Sequence, residues 1–261
     1  MKRIMLVSVL AVLPMAAGAP ASRADSASLR TIVDRFAQLD GQGATRATVE
    51  SVLQHEFGLR IVRGVPVANK LGSPGPSDVV LDTPIVTSRE AANSPYIMLA
   101  RMHWNRCAGK GCWEKDRGGN GAGDHGGPDG LAIQISRSIN RTSSYMIRTT
   151  SCGDQLPPDP PSTDNEHGVG FKVQDDQAGG SCRNGWNWDK AFIGDEFRFT
   201  DGHGYCTGGN PPYNVQTKFT HTWDTTSLTG ISISENGIGF NWNDTAHEYE
   251  VIPSDPWTSD C

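Results

Sequence analysis

Four oxygen-bearing residues, Asp116, Asn120, Asp124 and Asp129, are spaced through a fifteen-residue stretch, Asp116 to Gly130, that holds seven glycines. Carboxylate and amide oxygens are the ligands calcium takes, and glycine lets a chain turn tightly enough to bring them together. The stretch lacks the D-x-D-x-D-G loop with a distal Glu. Gly118-Gly119-Asn120-Gly121 begins a nonapeptide β-roll repeat without its Asp or a second copy. The composition therefore predicts either a calcium site on these four residues or a plain glycine connection between two strands.

A second chemistry lies in Asn184-Gly-Trp-Asn-Trp-Asp189. Trp186 and Trp188 are two residues apart, which on a strand puts both rings on one face. Two rings side by side stack on sugars, and Asn187 and Asp189 beside them bond hydroxyls. Packing between two sheets predicts the same alternation. Trp104, Trp223 and Trp242 sit in strongly alternating runs and are expected in the core.

Histidines at 55, 103, 125, 167, 203, 221 and 247 supply titratable groups. His125 beside Asp124 and His203 in Asp201-Gly-His-Gly204 fall in expected loops, where function often resides. No G-x-S-x-G elbow, H-E-x-x-H helix or C-x-x-C pair occurs. A hydrolytic site would have to converge from carboxylates and histidines far apart in the chain.

Lys2 and Arg3 followed by the apolar run Ile4 to Ala17 and then small residues have the anatomy of a secretory signal. The run is shorter than the roughly 20 apolar residues of a spanning helix. Cleavage is expected after Ala24, making residues 1–24 a signal peptide. The six cysteines Cys107, Cys112, Cys152, Cys182, Cys206 and Cys261 are an even count in a chain read as exported, which predicts three disulfides. Nearest-neighbour pairing gives Cys107 with Cys112, Cys152 with Cys182 and Cys206 with Cys261. The last closes the longest loop and should contribute most, about 4 kcal/mol. Zinc is disfavoured, because Cys107-x4-Cys112 has no matching second pair.

Without Lys2, Arg3 and Arg23, 20 basic residues face 29 acidic ones, a net charge of −9. Such a surface repels phosphate backbones and anionic lipid, so nucleic acid and membrane insertion are excluded as expected partners.

Two helices are predicted within residues 27–57. Leu29, Ile32, Val33 and Phe36 recur at spacings of three and four, as do Val49, Val52, Leu53 and Phe57. Ser26 or Ser28 caps the first, Asp40-Gly41-Gln42-Gly43 ends it, and Thr45 caps the second. An extended run, Leu59 to Ala68, leads to the linker-like Leu71 to Ser77, which sets a boundary near residue 75. Beyond it the period drops to two over nine short segments. These are Tyr96 to Trp104, Leu131 to Ser136, Ser144 to Thr149, Gly168 to Val173, Glu196 to Thr200, Lys218 to Trp223, Leu228 to Ser232, Gly237 to Trp242 and Glu248 to Ile252. Asn236-Gly237 marks a hairpin turn.

Consecutive antiparallel strands with one apolar face bury it sheet on sheet. The expected fold is mainly β: an antiparallel β-sandwich, jelly-roll-like, over residues 76–261, preceded by a helical segment over 25–75. No run of residues names a family. The expected function is a secreted, non-catalytic binding or adaptor protein with an extracellular protein or glycan as partner. The alternatives are a secreted hydrolase, or a pro-segment at 25–75 ahead of a mature binding domain.

Overall fold

The computed structural model describes residues 27–66, 79–89, 94–104, 123–124, 127–150, 152–174, 176–177, 188–201, 212–222, 225–244, 248–251 and 257–259. Helices α1 (Leu29–Gly41) and α2 (Arg46–Phe57) come first, followed by β1 (Leu59–Ile61), β2 (Gly64–Pro66), β3 (Val79–Leu81), β4 (Ile85–Arg89) and β5 (Tyr96–Trp104). The chain continues through β6 (Gly123–Asp124), β7 (Asp129–Ile135), β8 (Ile139–Thr149), β9 (Thr163–Asn165), β10 (Gly168–Val173) and β11 (Asp176–Gln177). The last strands are β12 (Lys190–Phe199), β13 (Asn214–Thr222), β14 (Leu228–Ser234), β15 (Gly237–Trp242), β16 (Glu248–Val251) and β17 (Trp257–Ser259).

The fold is a mainly β, antiparallel sandwich, as the alternating segments predict. One sheet has the order β1-β4-β5-β12-β8, with β3 also on β5; the other runs β2-β17-β13-β7-β10-β9, with β16 also on β13. Inward residues of both sheets interdigitate: Met98, Met102, Trp104, Ile193 and Phe197 from the first meet Leu131, Ile133, Phe171, Val215 and Phe219 from the second. We call the first the helix-side sheet and the second the hairpin-side sheet, after what covers each outer face.

Both helices carry the caps the sequence predicts. Ser28 and Thr45 accept from the backbone N–H three residues on, and Gly58 closes α2 in the left-handed conformation at φ 62°. Their apolar stripe, including Ile32, Val33, Phe36 and Leu53, is buried against Ile97, Leu99, Ile147 and Phe192 of the helix-side sheet. Gly194 makes the seat possible. A Cβ there would stand 2.4 Å from Val33 Cγ2 and 2.8 Å from Leu29 Cδ1. The N-terminal region is also stitched into both sheets, since β1 pairs with β4 and β2 with β17. Residues 27–66 thus pack on the outer face of the helix-side sheet and pair with both sheets, with Val62 reaching the core between them; the boundary expected near residue 75 lies outside the described residues.

Strands β14 and β15 form the hairpin announced by Asn236-Gly237 and lie across the outer face of the hairpin-side sheet. A lone two-stranded hairpin is marginal in water, and two devices hold this one. Leu228, Ile231, Ile233, Ile238 and Phe240 bury their side chains on Ala132, over glycines that leave room: a Cβ on Gly130 would meet Leu228 at 2.7 Å and one on Gly170 would meet Ile231 at 2.9 Å. Side chains of the sheet then donate to hairpin carbonyls, Gln134 Nε2 to Ser234 O at 2.9 Å, Asn165 Nδ2 to Ile233 O at 2.8 Å and Lys218 Nζ to Ile238 O at 3.1 Å.

Candidate functional site

The outer face of the helix-side sheet changes character along its strands. Successive outward positions on β5 are Ile97, Leu99, Arg101 and His103; β12 offers Phe192 and then Lys190, and β8 offers Ile147 and then Thr149. The apolar members lie under α1 and α2, and the polar ones lie where the helical layer stops. His103, Lys190 and Thr149 are direct cross-strand neighbours on three adjacent strands, so antiparallel register alone lines them up. Above them opens a cleft of about 1180 Å³, walled by Gln38, Asp40 and Glu56 of the helices as well as this polar row.

The charges of the walls are matched to one another. Asp40, in the last turn of α1 and only 8% exposed, accepts from Lys190 Nζ at 2.5 Å and from Arg101 Nη1. Arg101 in turn donates through Nε to Asp82. At the mouth, Arg35 of α1 grips Glu56 of α2 with two hydrogen bonds, 2.9 and 2.6 Å, and donates to Gln38 Oε1 at 2.8 Å. The Arg35 guanidinium holds the Glu56 carboxyl below its ordinary range.

Burial dominates two other groups. It pushes His103 down to about 4, helped by the positive charges of Arg101 and Lys190. His103 is therefore a neutral imidazole, and its Nε2 is buried with no hydrogen-bond partner among the described residues. Burial also raises Asp82 to about 6, against the pull of Arg46 and Lys190.

The structure separates the residues singled out by sequence. Trp186 and Asn187 lie outside the described residues. Trp188 belongs to the core: it is 1% exposed, with its ring centroid 5.8 Å from that of Trp104 and 6.5 Å from that of Phe219. A ring so enclosed offers no face to a sugar in solvent, which corrects the platform reading at this position. Its neighbour Asp189 is buried but lines the cleft. Its N–H donates to Thr149 O at 2.7 Å and its carbonyl accepts from Trp104 N at 3.1 Å.

Of the expected calcium ligands, Asp116 and Asn120 lie outside the described residues, and Asp124 is on β6 opposite Asp176. Asp129 is at the start of β7, wholly buried, with Oδ1 accepting from the Thr222 N–H at 2.9 Å and facing His221 Nδ1 at 2.9 Å. That environment is an interior hydrogen-bonded pair beneath Trp104, whose ring centroid is 5.1 Å from that of His221. Among the described residues no group of three or more His, Cys, Asp or Glu is arranged to hold a metal ion. Cys152 is disulfide-bonded; Cys107, Cys112, Cys182, Cys206 and Cys261 lie outside the described residues, as do His125 and His203.

The cleft residues Asp40, His103 and Lys190, and Arg101 bonded to Asp40 beside them, escape motif reading. Their signal is subtler: on β5 and β12, the positions in phase with Ile97, Leu99 and Phe192 turn polar toward one end of the strands.

No family model matches the chain, and no curated protein matches it. Among solved structures it is similar to one described as the crystal structure of group B streptococcus pilus 2b backbone protein, at 6% identity, covering 68% of this chain and 79% of that one. The TM-score is 0.29, and a likeness at that level carries no argument about fold or function.

Proposed function

We propose that the protein is a non-catalytic extracellular binding protein that takes a glycan segment in the cleft at the end of α1. The observation that carries this reading is the row His103–Lys190–Thr149 beneath a concave wall whose charges are already paired. Groups arranged in that way offer directional donors and acceptors to hydroxyls without a strong net pull on an ion. A cleft of this size also suits a chain of sugars better than a protein face, since protein interfaces spread over about 800 Å² on each side. The signal-like anatomy of residues 1–24, the even cysteine count and the bonded Cys152 support the extracellular placement. The full-length secreted product should have the mass of residues 25–261 less six hydrogens.

Titration of soluble polysaccharides by calorimetry tests the site. Gln38→Ala and His103→Phe should each weaken binding about tenfold or more while the melting temperature stays near that of the parent. Glycan binding that ignores both substitutions would remove the cleft from consideration.

A hydrolase is the second reading, and Asp82 is the observation that favours it, because a carboxyl raised to about 6 is suited to proton transfer near neutrality. Asp82 borders a neighbouring chamber, however, with Arg101 between it and Asp40, and His103 is too weak a base to serve as its partner. Release of reducing ends from a bound polysaccharide, abolished by Asp82→Asn, would establish the enzyme.

A further inference from the structure

The connection from β8 to β9 contains Gln155-Leu-Pro-Pro-Asp-Pro-Pro-Ser162. Each residue from Leu156 to Pro161 is a proline or stands directly before one. Proline fixes φ at about −65° and drives the residue before it out of the helical region, which favours the extended polyproline II helix with three residues per turn. The contacts of the run follow that period. Leu156 packs against the core between the sheets, and its N–H donates to Arg148 O at 2.9 Å. Three residues on, Asp159 is gripped by Arg148 of β8, from Nε at 2.8 Å and from Nη2 at 3.0 Å, while Arg148 Nη1 donates to Gln174 O at 3.1 Å. Three further on, Ser162 donates its N–H to Gly170 O at 2.8 Å and accepts on Oγ from the Lys172 N–H at 2.9 Å.

Pro157, Pro158, Pro160 and Pro161 occupy the other positions of each turn, and all four are exposed. They make two proline dipeptides separated by Asp159, whose carboxylate is turned to the protein. A free loop would lose conformational entropy when a partner ordered it; here the three anchors have fixed the ridge in advance. The surroundings are acidic. Between Arg148 and Lys172 the sequence has Asp154, Asp159, Asp164 and Glu166 and no lysine or arginine. Asp159 and Asp164 are bonded to Arg148 and Arg141, while Asp154 and Glu166 stand exposed on the two flanks.

We propose that Pro157–Pro161 is a preformed ligand ridge for a protein with an aromatic-walled groove and a basic rim, each proline dipeptide bedding between rings of that groove. Tryptophan and tyrosine pack flat on pyrrolidine rings, and their N–H and O–H groups donate to the carbonyls that a polyproline II strand leaves open. The edge of a β-sheet would gain little from the same ridge, because proline has no N–H to give to a ladder. Of the run, only Gln155 at its start borders the cleft, so this surface stands apart from the glycan site and does not depend on it.

Calorimetric titration of the full-length oxidised protein with isolated SH3, WW and EVH1 domains, used as probes of the groove chemistry, tests the proposal. At least one should bind saturably. Pro158→Ala combined with Pro161→Ala should weaken that binding about tenfold or more with little change in melting temperature, since both rings are exposed. A free peptide of residues 153–163 should bind several-fold more weakly than the folded protein, because it lacks the anchors. Asp159→Ala, which keeps every proline and releases the grip of Arg148, should bring the protein toward the level of the peptide. No saturable binding by any of the three domains, an affinity untouched by the paired proline substitutions, or a free peptide that binds as tightly as the folded protein would each overturn the proposal.

Discussion

Lys190 and Asp40 stand 150 residues apart in sequence, yet the ammonium of one lies 2.5 Å from the carboxylate of the other, tying β12 to the last turn of α1. Asp40 is enclosed and Lys190 only partly so, which makes the two ends of the bond unequal. Lys190→Met leaves a buried carboxylate with Arg101 alone and should cost about 1–3 kcal/mol in a urea denaturation series. In the Asp40→Asn background the same substitution should cost much less. Equal costs in both backgrounds would show that the pair does not couple helix to sheet.

Asp82 and His103 impose opposite pH dependences in overlapping windows. Asp82 titrates at 3.8 when unfolded and at about 6 when folded, so between those values the folded state binds more protons and stability falls as pH rises. His103 titrates at 6.5 when unfolded and at about 4 when folded; here the unfolded state binds more protons, and stability rises with pH. Buried Asp195 is likewise raised from 3.8 to about 6, so two carboxyls oppose one imidazole and the parent's stability should fall as pH rises between about pH 4 and 6. Asp82→Asn should flatten that fall and His103→Gln should steepen it. Urea midpoints measured across that range check both signs, and parallel profiles for the two variants would refute the assignment.

Trp188→Ala removes a ring packed between Trp104 and Phe219 and should lower stability by about 3–5 kcal/mol. Glycan binding per folded molecule should change little, because the ring has no exposed face. A fully stable Trp188→Ala protein that had lost its glycan would restore the ring to the binding surface.

Asp129→Ala withdraws an acceptor from the Thr222 N–H and from His221, an expected loss of about 1–3 kcal/mol. That loss should be the same in calcium and in chelator. Calcium bound through Asp116, Asn120 and Asp124 would instead show as a Tm that rises with the ion in the parent and not in Asp124→Ala. If chelator erased the Asp129→Ala defect, the buried carboxylate would be a metal ligand after all.

The parts of the fold that were legible in sequence are those where one face of an element meets the core and the other meets water. Gly168–Val173, Gly237–Trp242 and Tyr96–Trp104 have the bounds their alternation predicts. Lys190–Phe199 was readable only over its second half. Ala191 and Ile193 point between the sheets while Phe192 and Gly194 lie under α1, so period two is blurred where both faces are covered. Ile85–Arg89 was missed because Pro84 and the polar Thr87 and Ser88 resemble a connection; Thr87 is in fact buried, donating to Ile97 O at 3.3 Å. The cleft was hidden for a related reason. Asp40 reads as part of a helix-ending turn and His103 as one position of the alternating strand Tyr96 to Trp104, and nothing local says that β12 brings Lys190 between them.

The glycine seats bear on the order in which the chain assembles. The β14–β15 hairpin has a two-residue turn and can form from neighbours alone, but its seat exists only after β7 and β10 have paired and presented Gly130 and Gly170 on one face, diagonal to each other. Pairing of β7 with β13 joins segments some eighty residues apart, a slow step in folding. The hairpin therefore docks late, onto a sandwich already made. In the native state the same sequence runs backward, and its amides should be among the first of the regular structure to exchange with solvent.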